Sequence, residues 1–116
     1  MRRFIPLVLL VLFILTLAAP ALAERKVALV IGNGAYKVGP LKNPANDARD
    51  MAAALRELGF EVILRENAGL RGMNEAIDQF WQSLKQGGVG LFFFAGHGLQ
   101  VAGENYLVPV DARIAL

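Results

Sequence analysis

The spacing of apolar positions changes repeatedly along this chain, and each change predicts an element. Residues 26–31, KVALVI, form a β-branched run ending at Gly32-Asn33-Gly34, the pattern of a buried strand followed by a tight loop. The period then lengthens. Ala48, Met51, Ala52 and Leu55 recur at helical spacing, with Asn43 as cap, Pro44 in the first helical position and Gly59 as the stop. Asp47 and Asp50 fall early, where the helix dipole favours carboxylates. Residues 61–66, EVILRE, predict a second strand, and residues 67–72 a loop. Met73, Ile77, Phe80, Trp81 and Leu84 line one face of a second helix, which places Trp81 in the core, and Gly87-Gly88 ends it. Residues 89–95, VGLFFFA, are apolar throughout, predicting the third and most deeply buried strand. Residues 99–109, LQVAGENYLVP, predict two short strands turning over residues 102–105, with Tyr106 packed in the wall they form.

The order β-α-β-α-β predicts the α/β class and a parallel sheet with right-handed crossovers. Ligands bind such sheets beyond the carboxyl ends of the strands. His97, the only histidine, follows the third strand directly and lies between Gly96 and Gly98. On its own it reads either as a strand-end histidine satisfied by hydrogen bonds or as a general base that takes and returns a proton around neutrality. In the second case the Gly98 amide could point at a developing oxyanion. No carboxylate lies near His97 in sequence to orient it, and a backbone carbonyl could do that work instead. Gly32-Asn33-Gly34 resembles the start of a dinucleotide fingerprint, but the third glycine is missing and the helix begins about ten residues later. Its glycines read instead as positive-φ positions at the rim of a site. A metal site would have to combine His97 with Glu104 and Asp111, without a second His or any Cys.

The amino terminus alters the charge picture. Met1-Arg2-Arg3, the apolar residues 4–17 and Ala21-Leu22-Ala23 ahead of the first acid, Glu24, read as a secretory signal peptide over residues 1–23, cleaved after Ala23. The apolar run is short of the roughly 20 residues that span a bilayer. The expected destination is therefore periplasmic or secreted, with no membrane attachment after cleavage. All ten Asp and Glu lie from Glu24 onward, while Arg2 and Arg3 account for two of the twelve Lys and Arg, so residues 24–116 are formally neutral. That leaves no basic patch for nucleic acid. The absence of cysteine removes both disulfides and any thiol nucleophile from these 116 residues.

Four separated motifs, KVALVIGNGAY, LKNPANDARDMAAALRELGFEV, FFFAGHG and GENYLVPVDA, appear in the order of the large-subunit region of caspase-like cysteine peptidases. Residues 25–113 resemble its first part, and in particular that of bacterial metacaspase-like members. The resemblance implies a caspase-hemoglobinase-type three-layer α/β sandwich with a mostly parallel sheet, incomplete because the strands after the His97 strand are missing. Residues 24–116 would then be the N-terminal portion of the catalytic domain. The activity implied is peptide hydrolysis by a Cys-His dyad, with no cofactor and with peptides or proteins as substrates. His97 would be the base and Gly98 the oxyanion-hole amide donor, with Asp47 in the pocket for the P1 side chain, favouring Arg or Lys. The bland reading of Asp47 is a first-turn carboxylate that stabilises its helix. The cysteine is expected beyond Leu116, on a C-terminal segment, so that this chain carries the histidine without its nucleophile. The alternative from another class is a non-catalytic caspase-like module that binds peptides or partner domains.

Overall fold

The computed structural model describes residues 24–113; the expected signal peptide, residues 1–23, lies outside the described residues. Strands β1 (Lys26–Gly32), β2 (Glu61–Glu66) and β3 (Val89–Ala95) alternate with helices α1 (Pro44–Glu57) and α2 (Leu70–Leu84), followed by β4 (Gly98–Val101) and β5 (Glu104–Leu107). The first three strands form one parallel sheet in the order β2-β1-β3, and β4 and β5 form a separate antiparallel hairpin.

Alternation along β1 supplies both faces of the core. Val27, Leu29 and Ile31 pack with Met73, Ala76 and Phe80 of α2, while Ala28 and Val30 pack with Ala48 and Leu55 of α1. The result is a three-layer α/β arrangement, helix on sheet on helix. Topology explains the opposite faces. The chain steps from β1 to β2 through α1, then back across β1 to β3 through α2. With crossovers of one hand, reversing the direction of travel moves the helix to the other side of the sheet.

Several expectations need correction. β3 is not the most buried strand: β1 is central, with residues 27–31 all 1% exposed or less, whereas Phe92 in β3 is 47% exposed. A run that is apolar throughout cannot by itself distinguish a central strand from an outer one. Trp81 is 61% exposed and outside the core. The buried face of α2 runs through Met73, Ala76 and Phe80, and Trp81, one position past Phe80, is turned about 100° away with its ring against the Phe80 ring. Asn43 occupies the cap position of α1, but its side chain makes no capping bond; its carbonyl accepts from the Asp47 amide instead. The hairpin turns over Ala102 and Gly103 alone, both at positive φ as a two-residue type I′ turn requires.

The end of α1 follows expectation. Gly59 at φ +87° lets its own amide bond to the Arg56 carbonyl and the Phe60 amide to the Leu55 carbonyl, the pairing of a Schellman stop. The start of α2 comes earlier than the loop expected over residues 67–72. The Asp111 carboxylate reaches across and accepts from the Leu70 amide at 2.9 Å, capping a helix whose own cap residue, Gly69, has no side chain.

Candidate functional site at the carboxyl edge of the sheet

Open α/β sheets bind ligands beyond the carboxyl ends of their strands, and in the order β2-β1-β3 the ends of β1 and β3 are neighbours at that edge. The loop after β1 and the segment after β3 meet there. Gly32 and Gly34 are needed in that loop for a reason other than positive φ. A Cβ on Gly32 would lie 2.2 Å from the Pro44 carbonyl oxygen, and one on Gly34 would lie 2.3 Å from that of Leu41. Neither has a positive φ, so their role is to let the start of α1 and the chain leading to it approach the end of β1. Between them Asn33 is fully buried. Its side-chain oxygen accepts from the Ala68 amide at 2.8 Å, and its amide donates to the carbonyls of Ala68 and Val108. Asn67, at φ +52°, accepts from the amides of Gly34 and Ala35. These bonds fix the loops after β1 and β2 to each other.

His97 is half-buried at this edge. Its Nε2 lies 2.6 Å from the carbonyl oxygen of Gly39, which stands at φ +67°. A carbonyl can only accept, so Nε2 is the donor in this contact, and whenever the ring is neutral Nδ1 is then the acceptor. The Gly39 carbonyl is thus the ring's partner, where no carboxylate stands nearby in sequence. The ring also packs on Tyr36, with centroids 4.5 Å apart. The buried Tyr36 hydroxyl accepts from the His97 amide at 3.1 Å and donates to the Val108 carbonyl at 2.7 Å, while the Val108 amide donates to the His97 carbonyl at 3.0 Å.

Gly98 opens β4 opposite Leu107. Because the His97 carbonyl is bonded to Val108, the alternation of an antiparallel ladder turns the Gly98 N–H away from β5. Asp47 lies exposed in the first turn of α1, and that turn follows the loop from the carboxyl end of β1. It therefore shares the sheet edge with His97. Glu104 and Asp111 do not join them. Among the described residues no three His, Cys, Asp or Glu side chains gather into a metal-binding group, and Asp111 is engaged at the start of α2. Tyr106 is 52% exposed and not packed away; with Leu99, Leu107 and Pro109 it lines an open apolar hollow of about 420 Å³.

Sequence reasoning missed Tyr36, Gly39, Asn33 and Val108. The one available signal was the polar and aromatic run Asn33-Gly34-Ala35-Tyr36 directly at the end of the first strand, where a doubly wound sheet places its ligands.

Comparison with known proteins places these features in context. Residues 25–116 match the caspase domain family. The chain is 41% identical over 92 residues to human mucosa-associated lymphoid tissue lymphoma translocation protein 1, an alignment covering 78% of this chain and 11% of that protein. The mouse homolog gives the same identity and coverage. The chain thus spans about a tenth of the length of the curated relatives it matches.

Proposed function

This chain belongs to the caspase-domain family of peptidases, and from that premise we propose that it supplies the histidine half of a cysteine-type endopeptidase site. The observation that carries the reading is the placement of His97 at the carboxyl edge of the sheet: its Nε2 lies against the Gly39 carbonyl, which makes Nδ1 the acceptor of the neutral ring. A thiol placed on that side would lose its proton to Nδ1, attack the scissile carbonyl as thiolate, and leave an imidazolium to protonate the departing amine. The Gly98 N–H, turned from β5, is the donor for the oxyanion. The thiol comes from sequence outside these 116 residues, since they hold no cysteine. Asp47, at the same edge and exposed, supplies the negative charge for an Arg or Lys side chain at P1. Residues 1–23 direct export, and N-terminal sequencing of the protein recovered from culture medium or periplasm should begin at Glu24.

The test is cleavage of fluorogenic peptides carrying Arg, Lys or Asp at P1 by the native protein. Expected are Arg and Lys cleavage, inactivation by iodoacetamide, a loss of about 10²–10⁴-fold in His97→Ala, and loss of the basic preference in Asp47→Ala. The 116-residue chain alone should cleave none of them. Cleavage by that chain, or insensitivity of the native protein to thiol reagents, would overturn the dyad. A native protein that binds peptides and cuts none would be the non-catalytic caspase-like module.

A further inference from the structure

The His97–Val108 pair has an irregular ladder. In an antiparallel hairpin whose register pairs Gly98 with Leu107 and Leu99 with Tyr106, the next pair outward is His97 with Val108. The Val108 amide donates to the His97 carbonyl at 3.0 Å, so this is a narrow pair, in which the two residues ordinarily exchange both of their N–H···O=C bonds. The second bond is absent in direct form. The Tyr36 hydroxyl stands in its place, accepting from the His97 N–H at 3.1 Å and donating to the Val108 carbonyl at 2.7 Å.

We propose that Tyr36 is a positioning residue for His97, its hydroxyl holding the base of the hairpin open so that the imidazole reaches the Gly39 carbonyl. This rests on the reading of His97 as the base. Three features of the same loop act together on one residue. Tyr36 fixes the His97 backbone through its hydroxyl, its ring packs on the imidazole, and Gly39, three residues on, fixes the ring nitrogen. There is no slack around the hydroxyl. Tyr36 is 6% exposed, and a Cβ on Gly96 would lie 2.7 Å from the hydroxyl oxygen. Gly96, the small residue before the histidine, leaves room for this bridge as well as for the Phe94 ring and the Asn33 carbonyl oxygen, which that Cβ would meet at 2.8 Å and 3.0 Å. Without the hydroxyl, the His97 N–H and the Val108 carbonyl face each other as an ordinary narrow pair. The ladder closes by a direct bond, drawing the His97 backbone toward β5 and its ring away from Gly39. A backbone bond replaces the bridge, so folding loses little while the ring loses its orientation.

The experiment is nitrogen-15 NMR of the imidazole in the full chain, where His97 is the sole histidine. The expected neutral form is the Nε2–H tautomer. In Tyr36→Phe, which keeps the ring contact, the tautomer ratio shifts about fivefold toward Nδ1–H, the size of one ordinary neutral hydrogen bond, while the thermal midpoint moves by only a few degrees. An unchanged ratio in a folded variant overturns the assignment. So does a variant that fails to fold, which would make the hydroxyl a structural group. Amide exchange in the unmodified chain adds a readout that needs no variant: the His97 N–H should be protected alongside that of Val108, and fast exchange at His97 beside a protected Val108 overturns the bridge. No substrate enters either measurement, so a negative result here leaves the peptidase reading to its own cleavage test.

Discussion

At Gly32 the missing side chain decides where α1 can begin. A methyl there would meet the Pro44 carbonyl oxygen at 2.2 Å and the Ala48 Cβ at 2.6 Å, both on rigid backbone or in the buried face of the helix. Gly32→Ala should destabilise the fold by about 1–3 kcal/mol through overpacking, read as a lower denaturant midpoint with an unchanged slope. A cost of a few tenths would mean that the helix start can shift. Trp81 gives the opposite case. Exposed on α2 with its ring near that of Phe80, it should tolerate Trp81→Gln within about 0.5 kcal/mol. A core tryptophan would cost severalfold more, so the same melt separates the two placements. Asn33 sits between these extremes, a buried polar side chain kept because both ends of its amide are bonded.

Among the elements, α2 shows how a helix boundary can depend on a distant residue. Gly69 offers no capping side chain, and the Leu70 amide donates instead to Asp111, 41 positions beyond Leu70. The close approach also requires Gly69, where a Cβ would lie 2.7 Å from the carboxylate. Asp111→Ala should cost about 1 kcal/mol and speed hydrogen exchange at the Leu70 amide. Asp111→Asn, which keeps an acceptor oxygen, should recover most of that loss. Equal losses in the two variants would assign the effect to the charge at the helix N-terminus and not to the hydrogen bond. Helix α1, in contrast, takes its stop from local sequence: Gly59 and Phe60 close it with bonds to carbonyls of its own last turn. That boundary was legible in the chain, and the start of α2 was not.

For the whole molecule, the sheet order leaves β3 as an outer strand with no second partner among the described residues, and Phe92 projects from it 47% exposed. An apolar outer strand is a template for pairing with another chain. The 116-residue chain should therefore self-associate, and Phe92→Lys should shift its sedimentation profile toward monomer; an unchanged profile would place the association elsewhere. The sequence alone determined the element order, the α/β class, the parallel sheet and the position of His97 at a strand end, because each follows from a local period or from glycines within a few residues. It also carried the family resemblance, since the four motifs are contiguous strings. Only the tertiary structure decided which strand is central, that Gly32 and Gly34 serve close approach, and how His97 is held. Its ring and backbone partners, Gly39 and Tyr36, lie 58 and 61 residues away. No periodicity encodes a contact between a loop and a strand end; it exists only once the β2-β1-β3 order brings the carboxyl ends of β1 and β3 together.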